Sequence, residues 1–254
     1  MLKYQEILTI HPQLLPYIQC YVLISGKGAV PAKKIYPKTG ATVFLDFNGW
    51  FSNGKDYFNK GLSGLHETAY HATAFASTTD RLMIWFTPFG LSRFTNIPAN
   101  TLTNQIVELN AVFGKAANYM YEFTGNTTSL IQRIGWIEKF LMHHFREPTT
   151  IEKSIFYVAN QLNETKGNIS FDLIRAGIPL STRQLERKFK ALIGVDIQTF
   201  IRLCRFDFAK TLLLKQPSLK LTEIGQEAQY YDQSHFIRDF KTITGTTPKR
   251  FSFC

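Results

Sequence analysis

The sequence predicts an α+β protein of two domains, with a β-rich part first and an all-helical part second. Short β-branched and aromatic runs between turn residues fill the first hundred positions, which is typical of antiparallel sheets. Further on, apolar residues recur at three- and four-residue steps, which is typical of amphipathic helices. We place the boundary at Glu147-Pro148, because proline disfavours helix at the preceding residue. The predicted domains are 1–147 and 148–254.

Three apolar runs support the β prediction, and turn residues separate them. Each run has the length and the residue types of a single strand. The runs are 41–47, 68–75 and 81–86, and the turn signals are Asn48-Gly49, Asn53-Gly54 and Pro88-Phe89-Gly90. Many short strands without helices between them favour a sandwich or a barrel. Two stretches with helical spacing follow, 104–121 and 128–146, and they either close this domain or pair two subunits.

The whole chain has a net formal charge of +10, and the positive charge is concentrated in its second part. Residues 168–254 contain 14 Lys+Arg and 8 Asp+Glu, whereas residues 1–167 contain 15 and 11. Per residue, the C-terminal part is roughly three times as basic. Such an excess attracts polyanions, because binding to phosphates releases condensed counterions from DNA.

The sequence also argues against several classes of protein. It has no apolar run of about 18 residues and no signal-peptide core at its start. We therefore expect a cytoplasmic protein without a membrane partner. The three cysteines, Cys20, Cys204 and Cys254, lie far apart and form no Cys-x-x-Cys pair. A zinc cluster or a disulfide framework is therefore not expected.

The most informative pattern is an internal repeat in the second domain. Residues 185–190 and 236–241 share the order apolar-x-Arg-x-Phe-Lys, and Gly194 and Gly245 follow them at the same distance. A short amphipathic segment precedes each copy. Short helix, tight turn and second helix is the helix-turn-helix plan. The sequence therefore predicts two helix-turn-helix units.

The second helix of each unit has one apolar face and one polar face. Apolar residues at i, i+4 and i+7 make a stripe that can be buried, and the basic residues fall at the same spacing elsewhere. The predicted core residues are Leu185, Phe189, Leu192, Phe236, Phe240 and Ile243, together with Ile174 and Ile224 from the first helices. Ser181 and Asp232 are the predicted N-caps. Each helix can bury one side and present a basic side to a groove.

A single helix is predicted between the two units, over residues 196–214. Its nineteen residues span roughly 28 Å at about 1.5 Å each. Two helices that read successive major grooves on one side of DNA lie about 34 Å apart. A rigid helix of this length could hold that spacing.

Several motifs occur in order between Thr149 and Phe251. They are Leu180–Lys190, Arg205-x-x-x-Ala209-x-x-Leu212-Leu213, Asp232–Phe236 with Phe240-Lys241, and Gly245–Phe251. In these motifs the chain resembles the DNA-binding domain of AraC-type bacterial regulators. The resemblance implies seven helices, DNA binding by both units and no catalysis. We also expect no cofactor and no metal ion.

Two turn positions depart from the pattern of that family. Glycine is frequent in each turn, whereas Pro179 and Gln229 occupy these places here. Proline fixes φ at about −65°, and glutamine disfavours positive φ. We therefore expect a tilted first turn and weaker DNA binding by one of the units.

The first domain also carries a resemblance. Residues 14–21 and 81–91 are similar to the start and to the last strand of the cupin-like sensor domains attached to such regulators. This implies a cupin-like barrel or sandwich with trailing helices. Cupin enzymes hold metal through a His-x-His…Glu…His set, which this sequence lacks. His66-Glu67 and His71 are one residue off the zinc spacing His-Glu-x-x-His, and we interpret them as ordinary polar side chains.

The resemblance assigns DNA contacts residue by residue. Side chains that read base edges are expected to be Arg183, Glu186 and Arg187 in the first unit and Gln233, Ser234, Ile237 and Arg238 in the second. Arginine suits guanine, glutamine suits adenine and an apolar side chain suits the thymine methyl. Glu186 either accepts from cytosine or orients a neighbouring arginine. Phosphate contacts, which position without specifying, are expected from Lys190, Arg202, Lys241, Lys249 and Arg250.

The sequence leaves three functional hypotheses. The first is a sequence-specific transcription regulator of double-stranded DNA, modulated by a small-molecule effector or by self-association, which contacts RNA polymerase if it activates. The second is a DNA-binding module fused to a repair-type enzyme, for which Cys20 would be the reactive thiol. The third is a ligand-independent homodimeric regulator. Residues 1–100 suit an apolar pocket and a plain core equally well.

Overall fold

The structure is a computed structural model that describes residues 2–8, 11–28, 33–75, 77–170, 174–175 and 178–251. It confirms the α+β class, with a β sandwich and trailing helices first and a helical domain second. Buried apolar residues from both parts join in one continuous cluster. The domain boundary at 147/148 stays a prediction, because the core continues across it.

Within the described residues the first domain contains ten strands, and every pairing between them is antiparallel. They are β1 Leu2–Ile7, β2 Ile18–Lys27, β3 Lys33–Ile35, β4 Thr42–Asp46, β5 Trp50–Ser52, β6 Tyr57–Phe58, β7 Lys60–Ser63, β8 Tyr70–Phe75, β9 Thr78–Phe86 and β10 Ile106–Glu108. One sheet has the order β1-β2-β9-β4-β7-β10 and the other the order β3-β8-β5-β6. The predicted runs 41–47, 68–75 and 81–86 correspond to β4, β8 and β9.

Alternation along the central strands separates two layers of packing. On β9, Leu82 and Ile84 are buried in the main cluster, which includes the trailing helices. Met83 lies on the opposite face, beside Phe44 of β4 and Phe51 of β5. Successive side chains of a strand point to opposite faces, so one run of sequence supplies both layers. The side chains on the same face as Met83 line the space between the two sheets.

The trailing helices are α1 Leu109–Phe113, α2 Ala116–Gly125 and α3 Leu130–His144. The predicted helical stretch 128–146 is confirmed as α3. The prediction of one helical stretch over 104–121 is wrong, because Ile106–Glu108 forms strand β10, which pairs with β7. Asn104 and Gly114 both have positive φ, and such residues interrupt a helix. Pairing with a sheet edge outweighed the local helical spacing.

The second domain contains the helices predicted from the repeat. They are α4 Thr150–Glu164, α5 Thr182–Ile193, α6 Ile197–Lys215, α7 Leu221–Glu227 and α8 Gln233–Thr244, followed by a 3-10 turn at Pro248–Arg250. Ile174 and Arg175 are helical and Ile174 is buried. Residues 171–173 and 176–177 on either side of them lie outside the described residues.

Helix α4 joins the two domains. Its N-cap Thr149 and Glu152 form a capping box, and Glu152 also forms an ion pair with buried Arg93, with Nη2 and Oε1 2.7 Å apart. Phe156 stacks on Phe89, with ring centroids 4.4 Å apart. The Arg93 guanidinium and the cap lower the pKa of Glu152 to about 2 despite partial burial. One side chain thus begins a helix and attaches it to the β domain.

Candidate DNA-binding surface

Helix α5 is built to bury one side and expose the other. The Ser181 hydroxyl accepts a hydrogen bond from the Gln184 amide (3.3 Å), and the Gln184 side chain accepts one from the Ser181 amide (3.0 Å). Such a box satisfies two free N–H groups at a helix start. Leu185 and Phe189 are fully buried, as predicted. Ile193, rather than Leu192, completes the buried stripe, because Leu192 is only half-buried.

The polar face of α5 carries the residues predicted to meet DNA. Arg183, Glu186, Arg187 and Lys190 are all exposed. Within the described part of the chain, Glu186 forms no ion pair with either arginine, so its carboxylate does not orient them here. The guanidinium groups are therefore available to an outside partner.

Helix α8 repeats this arrangement. Asp232 is the N-cap, and its Oδ1 accepts from the His235 amide at 2.7 Å. The stripe Phe236, Phe240 and Ile243 is buried. Gln233, Ser234, Arg238 and Lys241 are exposed, whereas Ile237 is half-buried and packs partly on the core. The structure therefore brings three of the four predicted readers of this unit fully to the surface, and Ile237 in part.

Helix α6 contacts both of these helices, and its predicted span is confirmed. Phe200 packs on Phe189 of α5, with centroids 5.5 Å apart, and Phe206 packs on Phe240 of α8, with centroids 5.3 Å apart. Phe200 and Phe206 are six residues apart, which corresponds to a rise of only about 9 Å along α6. The distance between α5 and α8 therefore depends on the diameters of these helices as well as on the length of α6. The value of about 34 Å between them stays a prediction.

Arg202 has a structural partner that the sequence did not indicate. Its Nε lies 3.1 Å from Oδ1 of buried Asp239 on α8, and the Tyr230 hydroxyl donates to the other oxygen of this carboxylate at 3.0 Å. Burial raises the pKa of Asp239. Arg202 thus fixes α8 against α6, and its side chain is 37% exposed. The predicted phosphate contact would have to use the remaining part of the guanidinium.

The other predicted phosphate contacts lie at the surface. Lys190 and Lys241 occupy the last turns of α5 and α8. Lys249 and Arg250 are exposed on the 3-10 turn that follows α8. Cations near a helix C-terminus are favoured by its dipole, so Lys190 and Lys241 also stabilise the ends of their helices.

The two unusual turns differ in their backbone. Gln229 has φ +60, so the residue adopts the left-handed conformation that glutamine disfavours. The neighbouring amide of Tyr230 donates to the Gly225 carbonyl at 2.9 Å, which closes the turn. Pro179 is exposed, between hydrogen bonds of Ile178 and Leu180. The tilt expected at the first turn stays a prediction.

Loops of the β domain hold the C-terminal ends of both helices, which sequence reasoning missed. The Thr103 hydroxyl donates to the carbonyl of Gly194, the C-cap of α5, at 2.7 Å. The Ala69 amide donates to the carbonyl of Ile243, in the last turn of α8, at 2.7 Å. We call residues 65–69 and 103–104 the paired loops. No local signal could reveal them, because each contact joins residues far apart in sequence.

The paired loops are also bonded to each other. The Asn104 amide donates to the Leu65 carbonyl at 2.9 Å, and the Glu67 amide donates to the Asn104 side chain at 2.8 Å. Asn104 has φ +59, a conformation that asparagine tolerates better than most residues. The two contacts with α5 and α8 therefore share one support.

The residues weighed for catalysis or metal binding have other surroundings. Cys20 is buried, and burial raises the pKa of its thiol to about 12, which opposes the thiolate that a reactive cysteine needs. His66 is buried and stacks on Tyr70, whereas His71 is exposed. In the described ranges, no three His, Cys, Asp or Glu residues are grouped to hold a metal ion. Across the same ranges, every helix is too short or too polar to cross a bilayer.

Two protein families match this chain. Residues 176–252 match the helix-turn-helix domain family, and residues 8–108 match a family described as a domain of unknown function. Together with the paired, capped helices, the first match defines the class of the second domain. The C-terminal part of this chain is therefore similar to a helix-turn-helix domain.

Curated relatives align with the same part of the chain. Over 102 residues (40% of this chain and 33% of the relative), it is 33% identical to the F1 operon positive regulatory protein of Yersinia pestis. Over 105 residues (41% of this chain and 26% of the relative), it is 30% identical to the xylose operon regulatory protein of Escherichia coli K12. The aligned region spans a third or less of these relatives.

A solved structure aligns over nearly the whole chain. ToxT from Vibrio cholerae covers 98% of this chain, and the alignment takes in 96% of ToxT. The sequences are 11% identical and the TM-score is 0.47.

Proposed function

We propose that this protein is a sequence-specific, DNA-binding transcription regulator. The observation that supports it best is the repeat of one surface: α5 and α8 each begin at a side-chain cap, bury an aromatic stripe and expose arginine. We propose double-stranded DNA as the partner and the cytoplasm as the compartment. A monomer already carries two helices proposed to read DNA, α5 and α8, which we call the reading helices. A homodimer and a contact with RNA polymerase are further proposals.

The proposed readers of base edges are the residues named from the sequence. They are Arg183, Glu186 and Arg187 on α5, and Gln233, Ser234, Ile237 and Arg238 on α8. The proposed phosphate contacts are Lys190, Arg202, Lys241, Lys249 and Arg250. Exposure of these side chains supports the assignment, with Ile237 and Arg202 the two that are only partly exposed.

We further propose that the β domain modulates DNA binding in response to a small-molecule effector. The support is physical continuity, because the paired loops touch both reading helices and also border the space between the two sheets. In a plain dimerisation domain, nothing would require such contacts. The proposal predicts that a ligand inside the β domain alters affinity for DNA, since coupling between sites needs contacts that differ between two states.

The test is footprinting of the purified full-length protein on the DNA upstream of its own gene and of neighbouring genes. A protected site should show two patches about one helical turn apart. Its affinity should fall steeply with salt, because each neutralised phosphate releases counterions. Protection without sequence preference, or none at low salt, would contradict the proposal.

A further inference from the structure

A cavity of about 200 Å³ lies between the two sheets of the β domain. Its walls are mostly aromatic or apolar. They include Phe44, Phe51, Tyr70, Met83 and Trp85, with Ser63 and Tyr70 sharing a hydrogen bond of 3.2 Å. A pocket with apolar walls and few polar groups suits a small molecule with one ring. A sugar would leave most of its hydroxyl groups without partners here.

Two buried side chains of this cavity each have a polar atom without a hydrogen-bond partner among the described residues. They are Nε2 of His66, which is 8% exposed, and Nη2 of Arg81, which is 6% exposed. Both residues line the cavity. Leaving such atoms unpaired is costly, and buried polar groups without partners call for an explanation such as a bound molecule. A ligand that satisfies both atoms would remove this cost.

The hydrogen-bonding character of these two atoms is defined by their surroundings. His66 is bonded to the backbone of Gln105, and burial lowers its pKa to about 4, so the ring is neutral. With its other nitrogen bonded to a carbonyl, Nε2 carries the lone pair and accepts a hydrogen bond. Nη2 of Arg81 can only donate. A ligand that bonds to both atoms therefore needs one hydrogen-bond donor and one hydrogen-bond acceptor.

The charges at the cavity favour a neutral or singly anionic ligand. Nε of Arg81 pairs with Oδ1 of Asp46 at 2.8 Å, so these two charges offset each other. Lys38 lines the same cavity, above the ring of Trp85. Its pKa is lowered to about 7 by burial and by Lys210, so a fraction of its charge remains. No carboxylate is found among the described residues that line the cavity, so a cationic ligand would lack a counter-charge there.

We infer that this cavity binds a small one-ring aromatic molecule, neutral or singly anionic, which donates a hydrogen bond to His66 and accepts one from Arg81. The inference rests on the proposed function, since it names the class of effector. It also explains how an occupant would be sensed. His66 and Tyr70 flank Ala69, whose amide is bonded to Ile243 of α8. A molecule touching both rings therefore contacts the segment that holds a reading helix.

The probes are 4-hydroxybenzoate, 3-hydroxybenzoate and salicylate, which place a donor and an acceptor at three separations on one ring. Each is added at millimolar concentration to the full-length protein, and thermal melting is followed together with isothermal calorimetry. At ten times its Kd, a ligand of the native state should raise Tm by about 3–5 °C. We expect this shift from at least one isomer. D-xylose and benzylammonium should give none.

The matched variants are His66→Phe and His71→Phe. The first keeps a ring against Tyr70 but removes the acceptor inside the cavity, and the second makes the same exchange at an exposed site. The active probe should bind His71→Phe as it binds the wild type, and at least tenfold more weakly to His66→Phe. If His66→Phe does not fold, Ser63→Phe, which fills the cavity from β7, replaces it with the same expectation.

Three results would overturn the inference. They are no binding by any of the three isomers, equal binding to wild type and His66→Phe, and a shift with D-xylose in their place. Footprinting is scored separately. DNA binding without ligand binding would reject this inference and leave the proposed function standing. Ligand binding without DNA binding would do the reverse.

Discussion

Arg187 and Arg238 occupy equivalent places, each the sixth residue of its helix. Both side chains are exposed. If they pair with guanine, Arg187→Ala and Arg238→Ala should each weaken specific binding by about 1–3 kcal/mol and relax the preference at one base pair. Binding to a set of operator variants measures both effects.

Lys215→Ala is the control for these two substitutions. Lys215 is an exposed cation at the end of α6, outside the proposed surface. Its loss should change neither the preferred sequence nor the affinity by more than a small, salt-dependent amount. An Arg187→Ala, Arg238→Ala double variant that binds its operator like the wild type would reject the proposed surface.

Gln229 stores backbone strain in the turn of the second unit. A non-glycine residue in the left-handed region costs about 1–2 kcal/mol, whereas glycine adds about 0.5–1 kcal/mol of unfolded-state entropy. Gln229→Gly should therefore raise the free energy of unfolding by about 0.5–1 kcal/mol in urea titrations. Gln229→Ala keeps the strain and should have little effect. Equal stability of the glycine and alanine variants would mean that this turn is not strained.

At the scale of elements, Glu152 has two roles that substitution can separate. Glu152→Gln retains a capping side chain but leaves Arg93 buried without a counter-charge. We expect a loss of about 1–2 kcal/mol at pH 7, after allowance for solvent screening. Thr149→Ala removes the cap alone, which typically costs about 1 kcal/mol. Urea titration of both variants measures each role.

The pH dependence of the Glu152 ion pair has a definite sign. The pKa of Glu152 is lowered from 4.5 to about 2, so the folded state holds the ionised form more strongly than the unfolded state does. This stabilisation is complete above pH 4.5 and is lost as pH falls toward 2. The difference in stability between wild type and Glu152→Gln should shrink over that interval. A constant difference would show that the ion pair is not its source.

The elements show what local sequence can predict and what it cannot. The caps Ser181 and Asp232, the buried phenylalanines and the extent of α6 all followed from spacing and side-chain chemistry, and all are confirmed. Strand β10 was missed, because its partner β7 lies more than forty residues earlier. Ile151 lies at helical spacing from the buried residues Ile155 and Val158 of α4, yet its side chain is 37% exposed. Period alone does not say where a buried face ends.

The candidate surface was predicted in a similar way. Exposure of Arg187 and Arg238 follows from the position of each opposite a buried stripe. The partner of Arg202 does not, since Asp239 lies on another helix and its burial depends on the packing of α6 against α8. The unpaired polar atoms of His66 and Arg81 in the cavity could not be predicted from the sequence either, because these residues belong to different segments that only the fold brings together.

For the whole molecule, the Thr103 hydroxyl tests whether the domains are held together as described. Thr103→Val keeps the shape of the side chain but removes the donor to Gly194. The unpaired carbonyl should cost about 1 kcal/mol, and amide hydrogen exchange at Gly194 should become about fivefold faster. Thr101→Val, which removes only a local bond to Pro98, should leave that exchange unchanged. Equal rates in both variants would place the restraint on α5 elsewhere.

The bond between the two loops has a consequence for how occupancy of DNA responds to a signal. Separate anchors would let one helix be released while the other stayed fixed, and a promoter would then pass through half-engaged intermediates. Here Asn104 joins the anchors, so a shift at one is felt at the other. The protein should bind or release both halves of an operator in a single step. A plot of operator occupancy against effector concentration should therefore lack a plateau at half saturation.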